Sequence, residues 1–167
     1  MLSIQQVEGD KNSRYEGIFN QAKGLFHDER DWLANMANSA SLLYHTLGEV
    51  NWVGYYLLKE NELVLGPFMG LPACIRIGIG QGVCGTAVKE KRTQRVPDVH
   101  AFPGHIACDA ATRSEIVIPI QVNGNVLAVL DIDSPQPERF DQMDQQHLES
   151  FVQLLTESTD WTHVPTK

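Results

Sequence analysis

Two alternating apolar runs constrain the fold of this chain more than any other feature of its sequence. Every second residue of both runs is apolar, which gives Ile116, Ile118, Ile120 and Val122 in the first and Val126, Ala128, Leu130 and Ile132 in the second. An apolar residue at every second position is typical of a strand with a buried face, so the two runs predict a β-hairpin. A slip of one residue in its register would turn an apolar set to the wrong face.

The turn of this hairpin decides which residues face each other. A three-residue turn at 123–125 sets Val122 opposite Val126 and Glu115 opposite Asp133. A two-residue Asn-Gly turn would instead pair Glu115 with an apolar residue of the second strand and spoil the match. The sequence therefore predicts the three-residue turn.

Three acids of this hairpin, Glu115, Asp131 and Asp133, then lie on one face of adjacent strands. Carboxylates held so close raise each other's pKa, so at least one would stay protonated near neutral pH unless a cation lies among them. The alternative is that the Asp133-Ser-Pro sequence simply ends a strand and that solvent surrounds all three acids.

Length and charge limit the class of protein. The chain has 167 residues, of which 43% are hydrophobic, enough for one ordinary domain with a core of its own. A net charge of −8 and a pI near 5.1 disfavour nucleic-acid and anionic-membrane partners. We find no signal peptide and no run near the roughly 18 apolar residues of a spanning helix, so a cytoplasmic protein is expected.

The remaining pattern alternates helices with short strands. Helical periodicity predicts helices near 11–27, 32–47, 83–91 and 140–160, with Asp31 or Asp28 as the cap of the second and Gly48 as its stop. Strands are predicted at 50–59, from Leu63, at 74–79 and at 94–96. Residues 60–62 are predicted as a turn, and residues 66–72 and 98–111 as loops.

The three cysteines are Cys74, Cys84 and Cys108. An odd number argues against a disulfide framework, and gaps of ten and twenty-four residues do not fit paired metal ligands, so no metal site is expected. Buried inert thiols are the plain alternative. Against it, all three lie in loop-like sequence, with Cys108 between His105 and Asp109. We therefore interpret Cys108 as the candidate nucleophile.

Glycines feed the predicted helix that begins near Val83. Its first N–H groups and its dipole favour an anion such as a carboxylate, and Cys84 at this end is expected to have a lowered thiol pKa. The segment matches neither a Walker A motif nor a dinucleotide fingerprint. Trp52 and Tyr56 share one strand face with Gly54, either as half of a ligand pocket or, as the residues alone favour, as ordinary core.

Together these groups suit a free amino acid, with its ammonium at the acids and its carboxylate at the helix N-terminus. A thiol beside a protonated acid further suggests reduction of an oxidised sulfur. The thiol attacks that sulfur, the acid protonates the departing oxygen, and the cysteine becomes a sulfenic acid. A second cysteine then closes a disulfide.

Several segments of the chain resemble the free methionine-(R)-sulfoxide reductase family. They are NWVGYY at 51–56, LGPF at 65–68, GVCGTA at 82–87, VPDV at 96–99, FPGHIACD at 102–109, SE at 114–115 and LDIDSP at 130–135. The resemblance covers roughly residues 14–160 and implies one GAF domain over 1–167. That fold is α+β, an antiparallel six-stranded sheet with the terminal helices on one face and the ligand pocket on the other.

The resemblance also implies a role for each site residue. Cys108 would be the nucleophile, Cys84 the resolving cysteine, and Cys74 an auxiliary thiol that pairs with Cys84 or Cys108. The other implied contacts are with substrate: Glu115, Asp131 and Asp133 for its ammonium and sulfoxide oxygen, Trp52 and Tyr56 for its S-methyl group, and the N–H groups near Val83 and Cys84 for its carboxylate. Thioredoxin would reduce the disulfide, no metal or organic cofactor would be used, and a homodimer is compatible with the family.

Two other functions compete with this interpretation. A non-catalytic GAF sensor would bind a small molecule and pass on a signal, but the chain is expected to stand alone and sensors usually need an output domain. A peroxide-sensing thiol protein would explain Cys84 and Cys108, but it gives no reason for three clustered acids.

Overall fold

The computed structural model describes residues 4–104 and 109–165. In this part of the chain, two α-helices are followed by three strands, a third helix, three more strands and a fourth helix. The helices are α1 (Lys11–Phe26), α2 (Trp32–Thr46), α3 (Gly82–Glu90) and α4 (Gln142–Ser158). The strands are β1 (Trp52–Lys59), β2 (Glu62–Gly70), β3 (Arg76–Gly78), β4 (Gln94–Val96), β5 (Ser114–Val122) and β6 (Asn125–Ser134).

The six strands form one antiparallel sheet in the order β3-β2-β1-β6-β5-β4. The two central strands, β1 and β6, pair with each other, and each also pairs with its hairpin partner. This sheet confirms the predicted α+β class and the six-stranded antiparallel architecture.

Capping residues explain where the helices begin. Asp31 accepts a hydrogen bond from Ala34 N and caps α2, which settles the choice between Asp31 and Asp28. Asp141 accepts from two backbone N–H groups of α4 in a capping box with Asp144. All four predicted helices are confirmed, with ends that differ by one or two residues.

Each face of the sheet carries its own apolar cluster. On one face, Ile116, Ile118 and Leu130 pack with α1, α2 and α4. On the other face, Val117 and Val129 pack with α3. The helical layer and the α3 side therefore bury opposite sides of the same strands, which leaves the ends of β1, β5 and β6 to line a pocket on the α3 side.

The predicted three-residue hairpin turn is wrong. Val122 pairs with Asn125, so only Asn123 and Gly124 form the turn, with φ of 51° and 78° as a type I′ turn requires. A β-bulge then absorbs one residue, because Gln121 pairs with Val126 whereas Ile120 pairs with Ala128.

The bulge restores the pairing that the acids need. Beyond it, Glu115 pairs with Asp133, as predicted. Leu127 is the extra residue; it packs on the helical side, whereas Val126 belongs to the α3-side cluster. The predicted placement of Val126 with Ala128 on one face is therefore wrong.

Four smaller predictions need correction. The turn between β1 and β2 has two residues, 60 and 61, because Lys59 pairs with Glu62. The predicted loop at 66–72 is strand as far as Gly70, and a register shift opposite Tyr55 accommodates Pro67, a residue that strands tolerate at bulges. The third strand covers only Arg76–Gly78. Within 98–111, Val99–Ala101 is a 3-10 helix.

No helix of the described residues is both long enough and apolar enough to cross a membrane.

Candidate functional site

A pocket lies between the sheet, α3 and the segment that follows β2. It encloses about 550 Å³ of empty space, counting its open mouth. Its lining draws on many parts of the chain: Trp52, Tyr56, Leu71, Pro72, Ala73, Ile77, Gln81, Gly82, Val83, Cys84, Asp109, Thr112, Glu115, Asp131 and Asp133. Seven residues predicted for substrate binding lie in this one lining.

The three acids cluster as predicted. Glu115 pairs with Asp133 across the β5–β6 ladder, and Asp131 pairs with Val117 one step along the same face. Glu115 and Asp131 are each only 6% exposed, and Asp133 is half-buried. The alternative in which solvent surrounds all three acids is therefore wrong.

Burial changes the protonation of these acids. It raises the pKa of Asp131 to about 7, although hydrogen-bonding contacts with Cys84 and Glu115 oppose that rise. Burial, followed by the charges of Asp131 and Asp133, raises the pKa of Glu115 well above its usual range. The pKa of Asp133 also rises, from burial and from the charges of Asp131 and Asp109. The cluster thus favours at least one protonated acid near neutral pH.

Cys84 lies in the first turn of α3 and is free and buried. The predicted lowering of its thiol pKa is wrong. Burial raises that pKa, and the charges of Asp131 and Glu115 raise it further. The helix dipole acts at the same place, but the thiol is buried and lies beside two acids, and those effects are larger.

The N-terminus of α3 leaves its first turn without a side-chain cap. The N-cap residue Gln81 makes no side-chain capping hydrogen bond. Gly82, Val83 and Cys84 all line the pocket. An anionic group at this end of the pocket would therefore meet backbone N–H groups and the positive end of the helix dipole.

Trp52 and Tyr56 form an aromatic wall that is at once pocket lining and core. Their rings stack with centroids 5.9 Å apart, and Trp52 also stacks on Phe68. Both also belong to the α3-side apolar cluster. Trp52 Nε1 donates to Leu71 O at 3.1 Å, and the Tyr56 hydroxyl donates to Cys74 O at 3.0 Å. The wall thereby holds the segment after β2 against the pocket.

Of the other two cysteines, the structure describes Cys74 but not Cys108. Cys74 is half-buried at the end of that segment and is disulfide-bonded. Cys108 and His105 lie outside the described residues, so the predicted role of Cys108 as nucleophile stays a prediction.

Sequence reasoning missed several lining residues, of which Asp109 and Thr112 matter most. Asn51 Nδ2 donates to Asp109 Oδ2 at 2.8 Å and to Thr112 Oγ1 at 3.2 Å. Asp109 Oδ1 accepts from Ala111 N at 2.8 Å. The position of Asp109 next to Cys108 was the available signal, but only the fold brings Asn51 to it from 58 residues away.

Cys84, Glu115 and Asp131 each bring one ligand atom within 4.8 Å of the others, a spacing that a metal ion could bridge. The raised pKa values of all three keep S–H and O–H protons in the cluster, and hydrogen bonds through those protons explain the same spacing. The expectation that no metal is used stays a prediction.

Comparison with known proteins identifies the family. The GAF domain family matches residues 23–158. Protein YtsP of Bacillus subtilis is 52% identical over 157 residues, 93% of this chain and 96% of that protein. The free methionine-R-sulfoxide reductase of Escherichia coli is 48% identical over 146 residues, 87% of this chain and 88% of that protein.

A solved structure shares both this fold and the family name. The free methionine-R-sulfoxide reductase of Neisseria meningitidis, solved in complex with its substrate, is 41% identical and superposes with a TM-score of 0.91 over 95% of each chain. Relatives that are this similar over most of the chain show that the chain is a member of their family. The chain therefore belongs to the free methionine-R-sulfoxide reductase family of GAF-domain proteins.

Proposed function

We propose that this protein reduces free L-methionine-(R)-sulfoxide to methionine with cysteine thiols, and that thioredoxin reduces the resulting disulfide. One observation carries the proposal: a cluster of acids and the uncapped N-terminus of α3 line a single pocket, with Cys84 in the same lining. Family membership supports the same activity. A cytoplasmic location would supply the reductant.

The pocket offers a partner to each of the two charged groups of a free amino acid. The substrate carboxylate binds the N–H groups near Val83 and Cys84, and its ammonium binds an acid of the pocket lining. The S-methyl group packs on Trp52 and Tyr56. Among the acids, Asp131 Oδ1 is buried and has no hydrogen-bond partner among the described residues, so it offers an acceptor to a ligand.

The chemistry transfers one oxygen atom. The Cys108 thiolate attacks the sulfoxide sulfur while a carboxylic acid of the cluster protonates the oxygen. This attack forms an S–S bond. The protonated oxygen then passes from the substrate sulfur to the cysteine sulfur, the S–O and S–S bonds to the substrate break, and methionine leaves with Cys108 as a sulfenic acid. The substrate sulfur is reduced and the cysteine is oxidised by two electrons.

A second thiol resolves the sulfenic acid. Cys84 forms a disulfide with Cys108, and the oxygen leaves as water. Because burial raises the pKa of Cys84, its thiol needs a proton acceptor, and the carboxyl group of Asp131 is in hydrogen-bonding contact with it. Cys74 is the alternative resolving thiol.

Consumption of NADPH in the presence of thioredoxin and its reductase tests the proposal. Free methionine-R-sulfoxide, its S-epimer and a peptide-bound sulfoxide are offered in turn. We expect turnover of the free R-epimer alone, because a pocket that holds both ends of an amino acid excludes a peptide.

Each other result has a defined meaning. Turnover of the peptide-bound sulfoxide would contradict recognition of both charged ends. No turnover of any substrate, with all thiols shown to be reduced, would leave the sensor function. The Cys108→Ser variant separates the two, since an enzyme should keep binding and lose turnover, whereas a sensor should keep all of its function.

A further inference from the structure

All the charged side chains in the described lining of the pocket are acidic. Four of its lining residues carry carboxyl groups, and none of the described lining residues is Lys, Arg or His. A ligand that enters therefore gains most by bringing its own positive charge. The question is which of the four acids, Asp109, Glu115, Asp131 or Asp133, receives that charge.

Asp109 differs from the other three in its hydrogen bonds. Both of its oxygens accept from N–H groups, Oδ1 from Ala111 N and Oδ2 from Asn51 Nδ2, each at 2.8 Å. N–H groups are the natural partners of a carboxylate that carries charge. Burial raises the pKa of each of the other three acids, and the charge of Asp131 raises those of Glu115 and Asp133 further, so their protonated forms are favoured.

Asn51 fixes the position of Asp109 relative to the sheet. Its backbone N–H donates to Asp133 O at 3.0 Å, and its amide group reaches both Asp109 and Thr112. The amide must present its NH2 group to these acceptors, because its oxygen would repel the carboxylate. That orientation leaves Asn51 Oδ1 buried without a described partner, a cost that the two donated bonds offset.

We propose that Asp109 is a further substrate-binding residue, whose carboxylate binds the ammonium group of the amino acid, and that Asn51 is its positioning residue. The proposal rests on the proposed function. Asp109 binds the charged end of the substrate, and Glu115, Asp131 and Asp133 are left to the sulfoxide end, where a protonated acid is needed.

A pair of ligands that differ only in the ammonium group tests the role of Asp109. Methionine-R-sulfoxide and 4-(methylsulfinyl)butanoate, its deaminated analogue, are titrated into reduced Cys108→Ser protein by calorimetry. We expect this parent to prefer the amino acid by about tenfold or more, as a charge-assisted hydrogen bond supplies. Asp109→Asn in the same background should bind both ligands about equally. Asp28→Asn, the same change at a side chain 89% exposed, should keep the preference.

A double substitution separates charge from position. Asn51→Asp sets two carboxylates against each other and should weaken binding of the amino acid and lower the melting temperature. Asn51→Asp combined with Asp109→Asn restores the hydrogen bond with donor and acceptor exchanged. We expect the melting temperature to recover and the preference for the ammonium to stay lost, because Asn51 does not line the pocket.

The outcomes that overturn the proposal are distinct. An Asp109→Asn variant that keeps the preference, or a double variant that regains it, would show that the carboxylate of Asp109 does not bind the ammonium. A parent that binds neither ligand would overturn the proposed function together with this inference. Binding with the expected preference, but without turnover in the chain that retains Cys108, would overturn the enzyme function alone.

Discussion

Asp131 is a carboxyl group in a place that disfavours its charge, since it is 6% exposed and adjoins Cys84 and Glu115. Its pKa in the folded chain is about 7, against an ordinary value of 3.8. A raised pKa stabilises the fold fully below the ordinary value, and that contribution is lost as the pH rises to about 7. Above that pH the folded protein holds a buried negative charge.

Asp131→Asn should therefore stabilise the protein at pH 8. The amide keeps the shape of the side chain and removes the charge, so we expect the free energy of unfolding to rise by about 2 kcal/mol at pH 8 and by much less at pH 4. Urea unfolding at the two pH values measures the difference, with Asp28→Asn as the exposed control. Equal or lower stability of the variant at pH 8 would contradict the assigned cause.

The same acids predict how the rate depends on pH. If oxygen transfer needs a protonated acid, the chemical step should slow as the pH rises above about 7, where Asp131 loses its proton. Single-turnover rates, divided by the thiolate fraction of Cys108 measured by alkylation, isolate this effect. A corrected rate that stays flat from mildly acidic to strongly alkaline pH would exclude a protonated acid from the step.

At the scale of elements, β1 can hold its aromatic wall only because Gly54 has no side chain. A Cβ at this position would lie 2.4 Å from Phe68 Cβ and 2.4 Å from Trp52 Cη2. Gly54→Ala should destabilise the protein by about 2 kcal/mol and shift the Trp52 ring, which near-ultraviolet circular dichroism reports.

Gly24→Ala is the matched control for that substitution. Gly24 lies in α1 with no atom within 4 Å of a new Cβ, so alanine should stabilise the helix by about 0.5 to 1 kcal/mol. If both alanine variants changed stability in the same direction, close packing at Gly54 would not be the cause.

Periodicity was sufficient to predict the helices and the faces of most strands, because each depends on a local apolar repeat. It predicted that Glu115, Asp131 and Asp133 cluster, since strand alternation and hairpin pairing decide that contact. Periodicity did not predict the two-residue hairpin turn, because that turn is combined with a β-bulge. The position of the bulge depends on which of two neighbouring side chains packs on each face of the sheet. Val126 and Leu127 are both apolar, so alternation cannot locate the extra residue.

The site was less predictable than the fold wherever several elements act on one group. Burial of the thiol, followed by the charges of its acidic neighbours, raises the pKa of Cys84, and its position in the helix does not decide it. The contact of Asn51 with Asp109 joins residues 58 positions apart through the sheet. A local sequence pattern predicts neither the thiol pKa nor this contact, because both depend on tertiary packing.

At the scale of the whole molecule, one buried carboxylate joins three helices. Asp144 is 0% exposed and accepts hydrogen bonds from Tyr15 at 2.7 Å, Lys11 at 2.8 Å and Arg139 at 3.2 Å. Arg139 in turn donates to Leu47 O at the end of α2. The carboxylate of α4 thereby connects α1 directly and α2 through the arginine.

Removing the charge of Asp144 should lower the free energy of unfolding more than removing any one of the hydrogen bonds that Asp144 accepts. Asp144→Asn leaves Lys11 and Arg139 without their buried counter-charge and should destabilise the protein by about 3 kcal/mol. Tyr15→Phe removes a single hydrogen bond and should cost about 1 kcal/mol. Chemical denaturation of both variants measures the ratio. Equal losses would show that the ion pairs contribute little beyond the hydrogen bond of Tyr15.

The bulge at Leu127 means that the β5–β6 hairpin contains one spare residue. Removing Leu127 should convert the bulge to plain ladder and leave Glu115 opposite Asp133, so a chain one residue shorter should still bind its ligand. Removing Ile132 also shortens β6 by one residue, but it makes Asp131 and Asp133 neighbours in the chain, so their side chains point to opposite faces of the sheet and one of them must leave the pocket. Calorimetric titration of the two deletions compares them. The hairpin can therefore lose a residue at the bulge near its turn, whereas the spacing between Asp131 and Asp133 must be kept.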